Sequence, residues 1–293
     1  MKFVITGSLG NISKPLAQSL IAAGHQVTVI SSQSERSKDI ESLGATAAIG
    51  AVSDTAFLTK VFQGADAVYT MVPPSYTTPD YRQYYGEIAK SYSEAIKASG
   101  VKRVVNLSSI GAHLPGGTGP IKGLHDLEQV FNGLDEVAIV HLRPSFFYTN
   151  FYANVDMIKQ AGIMGANYGA DSQLVMVHPS DIADAAATWL QQPFTGKSVQ
   201  YVASDEMTLS EATRILGKAI GKPELPWVEF TDEQAYGGMT QAGLSEELAR
   251  NYVEMGNAVK SGILWEDYLQ HKPEFSKRKF TGFAQEFAAA FQA

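Results

Sequence analysis

Phe3-Val4-Ile5-Thr6-Gly7-Ser8-Leu9-Gly10-Asn11-Ile12-Ser13 opens the chain, and its reading decides the fold. A short apolar run ends in two closely spaced glycines, and an amphipathic stretch from Ile12 to Ala23 follows. This is a strand turning directly into a helix. Gly7 permits the tight turn, and Gly10 lets the backbone approach a diphosphate with no Cβ in the way. The helix N-terminus adds free N–H groups and the positive end of its dipole. Ser13 occupies the place of a third glycine, which usually eases the packing of helix on strand. The competing reading is a tight βα turn in some other doubly wound protein.

Outward from that turn, short β-branched runs alternate with helical segments. Val27–Ile30, Ala45–Ile49, Ala67–Thr70, Val101–Leu107 and Val137–Leu142 read as strands. Polar or amphipathic stretches between them read as helices, among them Thr55–Phe62 and a long one over about 80–99. Near-continuous apolar strands separated by helices predict a parallel sheet covered on both faces. With right-handed crossovers the ligand cleft lies at the carboxyl ends of the strands. The expected fold class is therefore α/β, a doubly wound parallel Rossmann-type sheet with a smaller, mostly helical C-terminal cap. Residues 1–150 are expected to form the dinucleotide-binding domain and residues 151–293 the cap, with strands near 174–202 joining the sheet or the cap. Ser180 is expected to cap a helix running to Leu190.

Composition excludes several functions. The 293 residues carry a net charge of −7 and no cysteine, which removes thiol catalysis, disulfides and thiolate metal sites together. Histidines and carboxylates show no metal-ligand spacing, so no metal is expected. The densest basic run, Lys277-Arg278-Lys279, reads as a solvated approach to a helix, and no basic face suits nucleic acid. No stretch approaches the roughly 20 apolar residues of a membrane span. The chain goes into a strand at its second residue, without a leader-like apolar core, and a cytoplasmic location is expected.

The second strand ends in Ser31-Ser32-Gln33-Ser34, with Arg36 and Lys38 close behind. A carboxylate there would favour NAD by holding the ribose 2′-hydroxyl. Hydroxyls and a guanidinium suit a 2′-phosphate instead, so NADP(H) is preferred over NAD. A polar loop with a helix cap at Ser34 is the plainer alternative. After the fourth strand, Met71-Val72-Pro73-Pro74 is stiffened by its prolines. Leu107-Ser108-Ser109 ends the fifth strand on the nicotinamide side.

Four segments in this order, TGSLGNISKPL, MVPP, NLSSIGAH and GPIKGLHDLEQVFNGL…VHLRPSFFYTN, resemble the NmrA-like branch of the atypical short-chain dehydrogenases/reductases. The resemblance covers about residues 1–190. That group holds NADP(H)-dependent quinone and azo-dye reductases and also dinucleotide sensors that regulate protein partners without turnover. It implies phosphate contacts at Gly7, Ser8, Asn11 and Ile12, and a 2′-phosphate contact at Ser32 and Arg36. It also implies loop contacts at Val72 and Pro73, and Ser108 near the nicotinamide ribose. Where related loops carry an acidic residue after the third-strand glycine, this chain has Gly50-Ala51.

The Tyr-x-x-x-Lys pair of the main short-chain dehydrogenases is missing, since residues 112–135 contain no tyrosine. Lys122, His125 and Glu128 stand in that region, spaced three apart on one helical face. His125 is the candidate acid/base, Glu128 its orienting partner and Lys122 a ribose contact. A solvent-facing polar face is the alternative. Arg143 is expected to tie down the strand end. Phe146, Phe147 and Tyr148 are expected to wall the nicotinamide, and Tyr148 stands with His125, Lys122 and Glu128 among the catalytic candidates, with core packing as the competing reading. The expected function is an NADPH-dependent reductase of a small, flat, apolar acceptor such as a quinone or azo compound. The alternative is a sensor of NADP that binds a protein partner, and a homodimer is compatible with either.

Overall fold

A computed structural model of the chain describes residues 1–76 and 78–292. The elements follow one another as β1 (Lys2–Ile5), α1 (Ser13–Ala22), β2 (Gln26–Ser31), α2 (Ser37–Ser42), β3 (Thr46–Ile49) and α3 (Thr55–Phe62). Then come β4 (Ala67–Thr70), α4 (Tyr81–Ser99), β5 (Arg103–Leu107), α5 (Ile121–Asn132), β6 (Ala138–Pro144) and β7 (Phe146–Phe147). The second half runs α6 (Val155–Ala161), β8 (Met164–Ala166), β9 (Gln173–Val177), α7 (Pro179–Gln191), β10 (Lys197–Val202) and β11 (Asp205–Thr208). It ends with α8 (Leu209–Ala219), β12 (Trp227–Glu229), α9 (Asp232–Gln241), α10 (Glu246–Ser261), α11 (Glu266–Gln270) and α12 (Phe280–Gln292).

Seven strands form one parallel sheet in the order β3-β2-β1-β4-β5-β6-β10. The chain winds outward from β1 to β3 and then restarts on β1's other side at β4. That reversal opens a crevice above the carboxyl ends of β1 and β4. Alternation along each strand decides which helices cover which face. Phe3 and Ile5 pack with α1 and α7, whereas Val4 points to the side of α3 and α4. β10, far along in sequence, pairs with β6 from Lys197↔Ile139 to Val202↔Pro144 and closes the sheet edge.

The rest of the second half makes a cap with its own core. β11, β9 and β7 form a small sheet and β12 pairs with β8. Its centre is aromatic: Tyr148, Phe151, Phe280, Phe283 and Phe287 are fully buried together.

One local expectation changes. α7 begins at Pro179, and its cap is His178, whose Nδ1 accepts from Ser180 N at 3.1 Å. Proline at the first helical position costs no hydrogen bond, so the helix starts one residue earlier than Ser180 suggests. The run Lys277-Arg278-Lys279 is the expected exposed approach to α12, and two of its cations also tie it to the fold. Arg278 pairs with Asp181 at 2.6 Å and Asp184 at 2.7 Å, and Lys279 donates to Ser204 O at 2.6 Å. The burial of Asp181 on α7 makes a cation from the C-terminal segment necessary there.

Candidate functional site

The turn after β1 is built for close approach. Gly7 has φ +93° and Ser8 φ +54°, both in the left-handed region. A Cβ on Gly7 would lie 2.5 Å from Ser13 Oγ, so only glycine fits. A Cβ on Gly10 would meet nothing but Gly7 O, at 3.1 Å, leaving its outer face open. The amides of Ser8 and Gly10 are already engaged, by Ile30 O at 3.0 Å and Gly7 O at 3.1 Å. Among the described residues, the amides of Asn11, Ile12 and Ser13 have no hydrogen-bond partner. They lie at the start of α1, with Asn11 exposed and the side chains of Ile12 and Ser13 buried, and the first turn carries no acidic residue. Three bare N–H groups at a positive helix end fit a diphosphate.

Beside the turn, Ser8 Oγ donates to Ser31 Oγ at 3.0 Å, and Gln33 N donates to the same Ser31 oxygen at 3.2 Å. Ser32 is exposed next to them. Arg36 sits in a short 3-10 turn over 34–36, about half exposed, at 3.7 Å from Asp39 and 3.4 Å from Gln33 Oε1. Its guanidinium retains donors to spare. The loop after β4 is held from behind by α4. Tyr92 OH donates to Met71 O at 2.7 Å and Tyr84 OH to Pro73 O at 2.9 Å. Met71 N donates to Thr6 Oγ1 at 2.9 Å, so Val72 and Pro73 are fixed relative to the glycine turn. Sequence reading missed both tyrosine clamps. Their only trace is a tyrosine-rich α4 whose apolar face repeats at helical spacing.

At the end of β5 the structure separates residues that sequence spacing had grouped. Ser108 Oγ donates to Glu128, and Arg143 binds that carboxylate with two bonds, 3.0 Å from Nε and 2.6 Å from Nη2. Arg143 also reaches Tyr201 OH and Asp267, each at 3.1 Å, joining β6, β10 and the cap. Glu128, 1% exposed, is thus a structural ion-pair partner and does not touch His125. His125 Nδ1 donates to Ala112 O at 2.9 Å, which leaves Nε2 with its lone pair in the neutral ring. Lys122 is drawn toward the cap, 3.3 Å from Glu254. Tyr148 is fully buried between Phe280 and Phe283, and its hydroxyl donates to Asp205 at 2.6 Å. Burial, with Asp205 second, pushes that phenol well above its ordinary range. Phe146 packs edge-on against Phe151 at 5.5 Å in the cap core, while Phe147 joins the core beneath the sheet. The aromatics after β6 therefore point to two different places and form no common wall.

A deeper polar chain lies under the strand ends. Thr70 Oγ1 donates to Asn106 Oδ1 at 3.0 Å, which turns the amide nitrogen toward His141 Nδ1 at 3.1 Å. His141 Nε2 then donates to Asn132 Oδ1 at 3.1 Å. Among the described residues no group of three or more metal-ligating side chains occurs, and no helix is long and apolar enough to cross a membrane.

A parallel sheet whose reversal point carries an open helix N-terminus is a Rossmann-type dinucleotide-binding fold with a mostly helical cap. Comparison with known proteins agrees at that level. A family described as NAD(P)H-binding matches residues 7–145, from the glycine turn to the end of β6. An NADPH-dependent quinone oxidoreductase from Escherichia coli is similar in structure, at 19% identity over 97% of this chain and 98% of that one, with TM-score 0.79. A triphenylmethane reductase from Citrobacter sp., complexed with NADP(H), is similar at 20% identity over 98% and 99%, with TM-score 0.81. A nucleoside-diphosphate-sugar epimerase from Staphylococcus aureus is similar at 15% identity over 97% and 100%, with TM-score 0.77. No curated protein matches the chain in sequence.

Proposed function

We propose that this chain is an NADPH-dependent reductase that passes hydride to a small, flat, apolar acceptor such as a quinone or azo compound. The observation that carries the reading is the set of bare amides at Asn11, Ile12 and Ser13 beside a β2 end rich in hydroxyls. Two of the structurally similar proteins are reductases or oxidoreductases described with NADPH or NADP(H). The NmrA-like resemblance of residues 1–190 points the same way.

In this reading α1 and the Gly7–Gly10 turn hold the diphosphate, while Ser31, Ser32 and Arg36 take the 2′-phosphate. Val72 and Pro73 border the adenosine, and Ser108 lies toward the nicotinamide ribose. Residues 1–150 bind the dinucleotide, and residues 151–293 cover the acceptor side. The dinucleotide, when bound, supplies the hydride; the protein orients it and excludes water. His125 handles the proton, because the bond from Nδ1 to Ala112 O leaves its Nε2 available. A quinone accepts hydride without an obligatory strong protein acid, so the missing Tyr-x-x-x-Lys pair is tolerated.

A second reading, a sensor that reports NADP occupancy to a partner, is favoured by one observation. Glu128 and Tyr148 are consumed by structural bonds, which leaves little acid/base apparatus. Purified protein, NADPH and a panel of quinones and azo compounds separate the two by loss of NADPH absorbance. Oxidation with at least one acceptor, slowed about tenfold or more by His125→Ala, supports the reductase. Tight NADPH binding with no oxidation by any acceptor replaces it with the sensor.

A further inference from the structure

The first turn of α5 and the loop before it are held between two helices. A Cβ on Gly123 would come within 2.7 Å of the Tyr85 ring, so α5 begins hard against α4. A Cβ on Gly119 would meet Asn251 O at 2.0 Å, so the loop rests directly on the backbone of α10. α10 is in turn anchored by Leu248, fully buried in the core that α4 and α5 share. With the backbones in contact along this seam, adjustment there falls to side chains.

Lys122 and Glu254 meet across the seam. Lys122 Nζ lies 3.3 Å from Glu254 Oε2, with the lysine side chain 21% exposed and the glutamate 37%. Other cations nearby are gripped harder. Arg82 is bound by Asp126 at 2.5 and 2.7 Å, and Arg143 binds Glu128 at 3.0 and 2.6 Å. An ammonium has three donors, and among the described residues Lys122 uses one of them. A partly exposed pair of two long side chains is weak, because solvent screens it and both chains must be held still. Glu254 also has somewhere to go. It borders a cleft of about 520 Å³ with Gly117, Val253, Asn257 and Ser261, where water can replace lysine at the carboxylate.

The same lysine stands one turn from His125, on the face of α5 that the dinucleotide reading turns toward the ribose. It cannot serve both sides at once. We propose that Glu254 is a positioning residue that competes with the dinucleotide for Lys122. Without the dinucleotide the ammonium stays at α10. NADPH draws it to the hydroxyl oxygens of the nicotinamide ribose, and Glu254 turns into the cleft. This rests on the reading that NADPH binds in the crevice. No covalent bond is made or broken: one weak ion pair is traded for hydrogen bonds to the ribose. The competition lowers cofactor affinity, so losing Glu254 is a gain. A static tie between α5 and α10 has the opposite consequence, because its loss loosens the seam and weakens binding.

The test is a fluorescence titration of the full chain with NADPH, with displacement by adenosine 2′,5′-bisphosphate, which lacks the nicotinamide ribose. Glu254→Gln should bind NADPH about threefold more tightly than the wild type. Lys122→Met should bind it about fivefold more weakly, and adding Glu254→Gln to that variant should change nothing further. Adenosine 2′,5′-bisphosphate should bind all four proteins alike. Unchanged or weaker NADPH binding in Glu254→Gln overturns the inference and leaves a static tie. Tightening that persists without Lys122 overturns it as well. So does equal tightening of the bisphosphate, which would be the loss of a negative charge felt at a distance. Each of these outcomes, with NADPH bound by the wild type, keeps the dinucleotide reading. No NADPH binding by the wild type removes that reading and the competition with it.

Discussion

Ser13 Oγ donates to the backbone carbonyl of Thr6 at 2.8 Å, bracing the glycine turn from its buried side. The position usually given to a third glycine therefore contributes a bond instead of space. Thr6 is held on two further sides, its amide by Tyr69 O at 3.1 Å and its hydroxyl by Met71 N at 2.9 Å. Ser13→Ala should cost about 1 kcal/mol of stability and raise the NADPH dissociation constant about fivefold, because a buried bond is lost and the turn loosens. Gly7→Ala faces both a φ of +93° and a 2.5 Å clash with Ser13 Oγ, so it should abolish measurable binding. Fluorescence titration with NADPH checks both. Unaltered affinity in Gly7→Ala would remove the turn from the site.

In the proposed reading Arg36 decides between NADP(H) and NAD(H). In the structure it has only the 3.7 Å pair with Asp39 and a 3.4 Å contact to Gln33, so it is free to turn to a phosphate. Charge-assisted bonds to phosphate are short and strong. Arg36→Ala should lower the preference for NADPH over NADH by roughly tenfold or more, with NADH affinity little changed. Asp39→Asn should shift the preference slightly the other way. Parallel titrations of the two cofactors read the ratio.

The sheet could be read from the sequence because each of its strands is local. Ala67–Thr70 falls where expected, since β-branched and apolar runs bounded by turn residues depend on few distant contacts. The glycine turn was legible for the same reason: strand, turn and helix are contiguous. The strip Lys122, His125, Glu128 was not. Its spacing puts the three on one helical face, but three different neighbours divide that face. The cap's Glu254 takes Lys122, the loop carbonyl of Ala112 takes His125, and Arg143 from β6 takes Glu128. Each partner lies far away in sequence or outside α5, and no periodicity within α5 encodes them. Tyr148 failed likewise, because α12, more than a hundred residues on, supplies the phenylalanines that bury it.

The Glu128–Arg143 pair should behave as a buried ion pair whose halves cannot be separated cheaply. Glu128→Leu or Arg143→Met alone leaves a charge with little solvent, and each should destabilise the fold by about 3–5 kcal/mol. The double variant Glu128→Leu with Arg143→Met should cost less than the sum of its single changes, because no orphan charge remains. Urea unfolding of the four proteins gives the coupling. Additive losses would show that Ser108, Tyr201 and Asp267 hold each member independently of the other.

His141 sets an acid limit on stability. Burial, with the positive charges of Arg143 and Lys197 adding and Glu128 opposing, lowers its pKa from 6.5 to about 4. The hydrogen bonds agree with a neutral ring. Thr70 fixes the Asn106 amide so that Nδ2 donates to His141 Nδ1, and a protonated ring would set two donors against each other there. Between pH 6.5 and about 4 the unfolded chain binds a proton at this residue that the folded chain does not. Stability therefore rises with pH across that window. Its contribution is complete above 6.5 and falls progressively on acidification, by roughly 3 kcal/mol at about pH 4, with no further loss from this group below that. His141→Gln removes the titration, so its unfolding free energy should be lower than the wild type's at pH 7 and should flatten relative to it between pH 6.5 and 4. Urea midpoints at half-unit pH steps measure the difference. Parallel curves for the two proteins would place the acid sensitivity in another group.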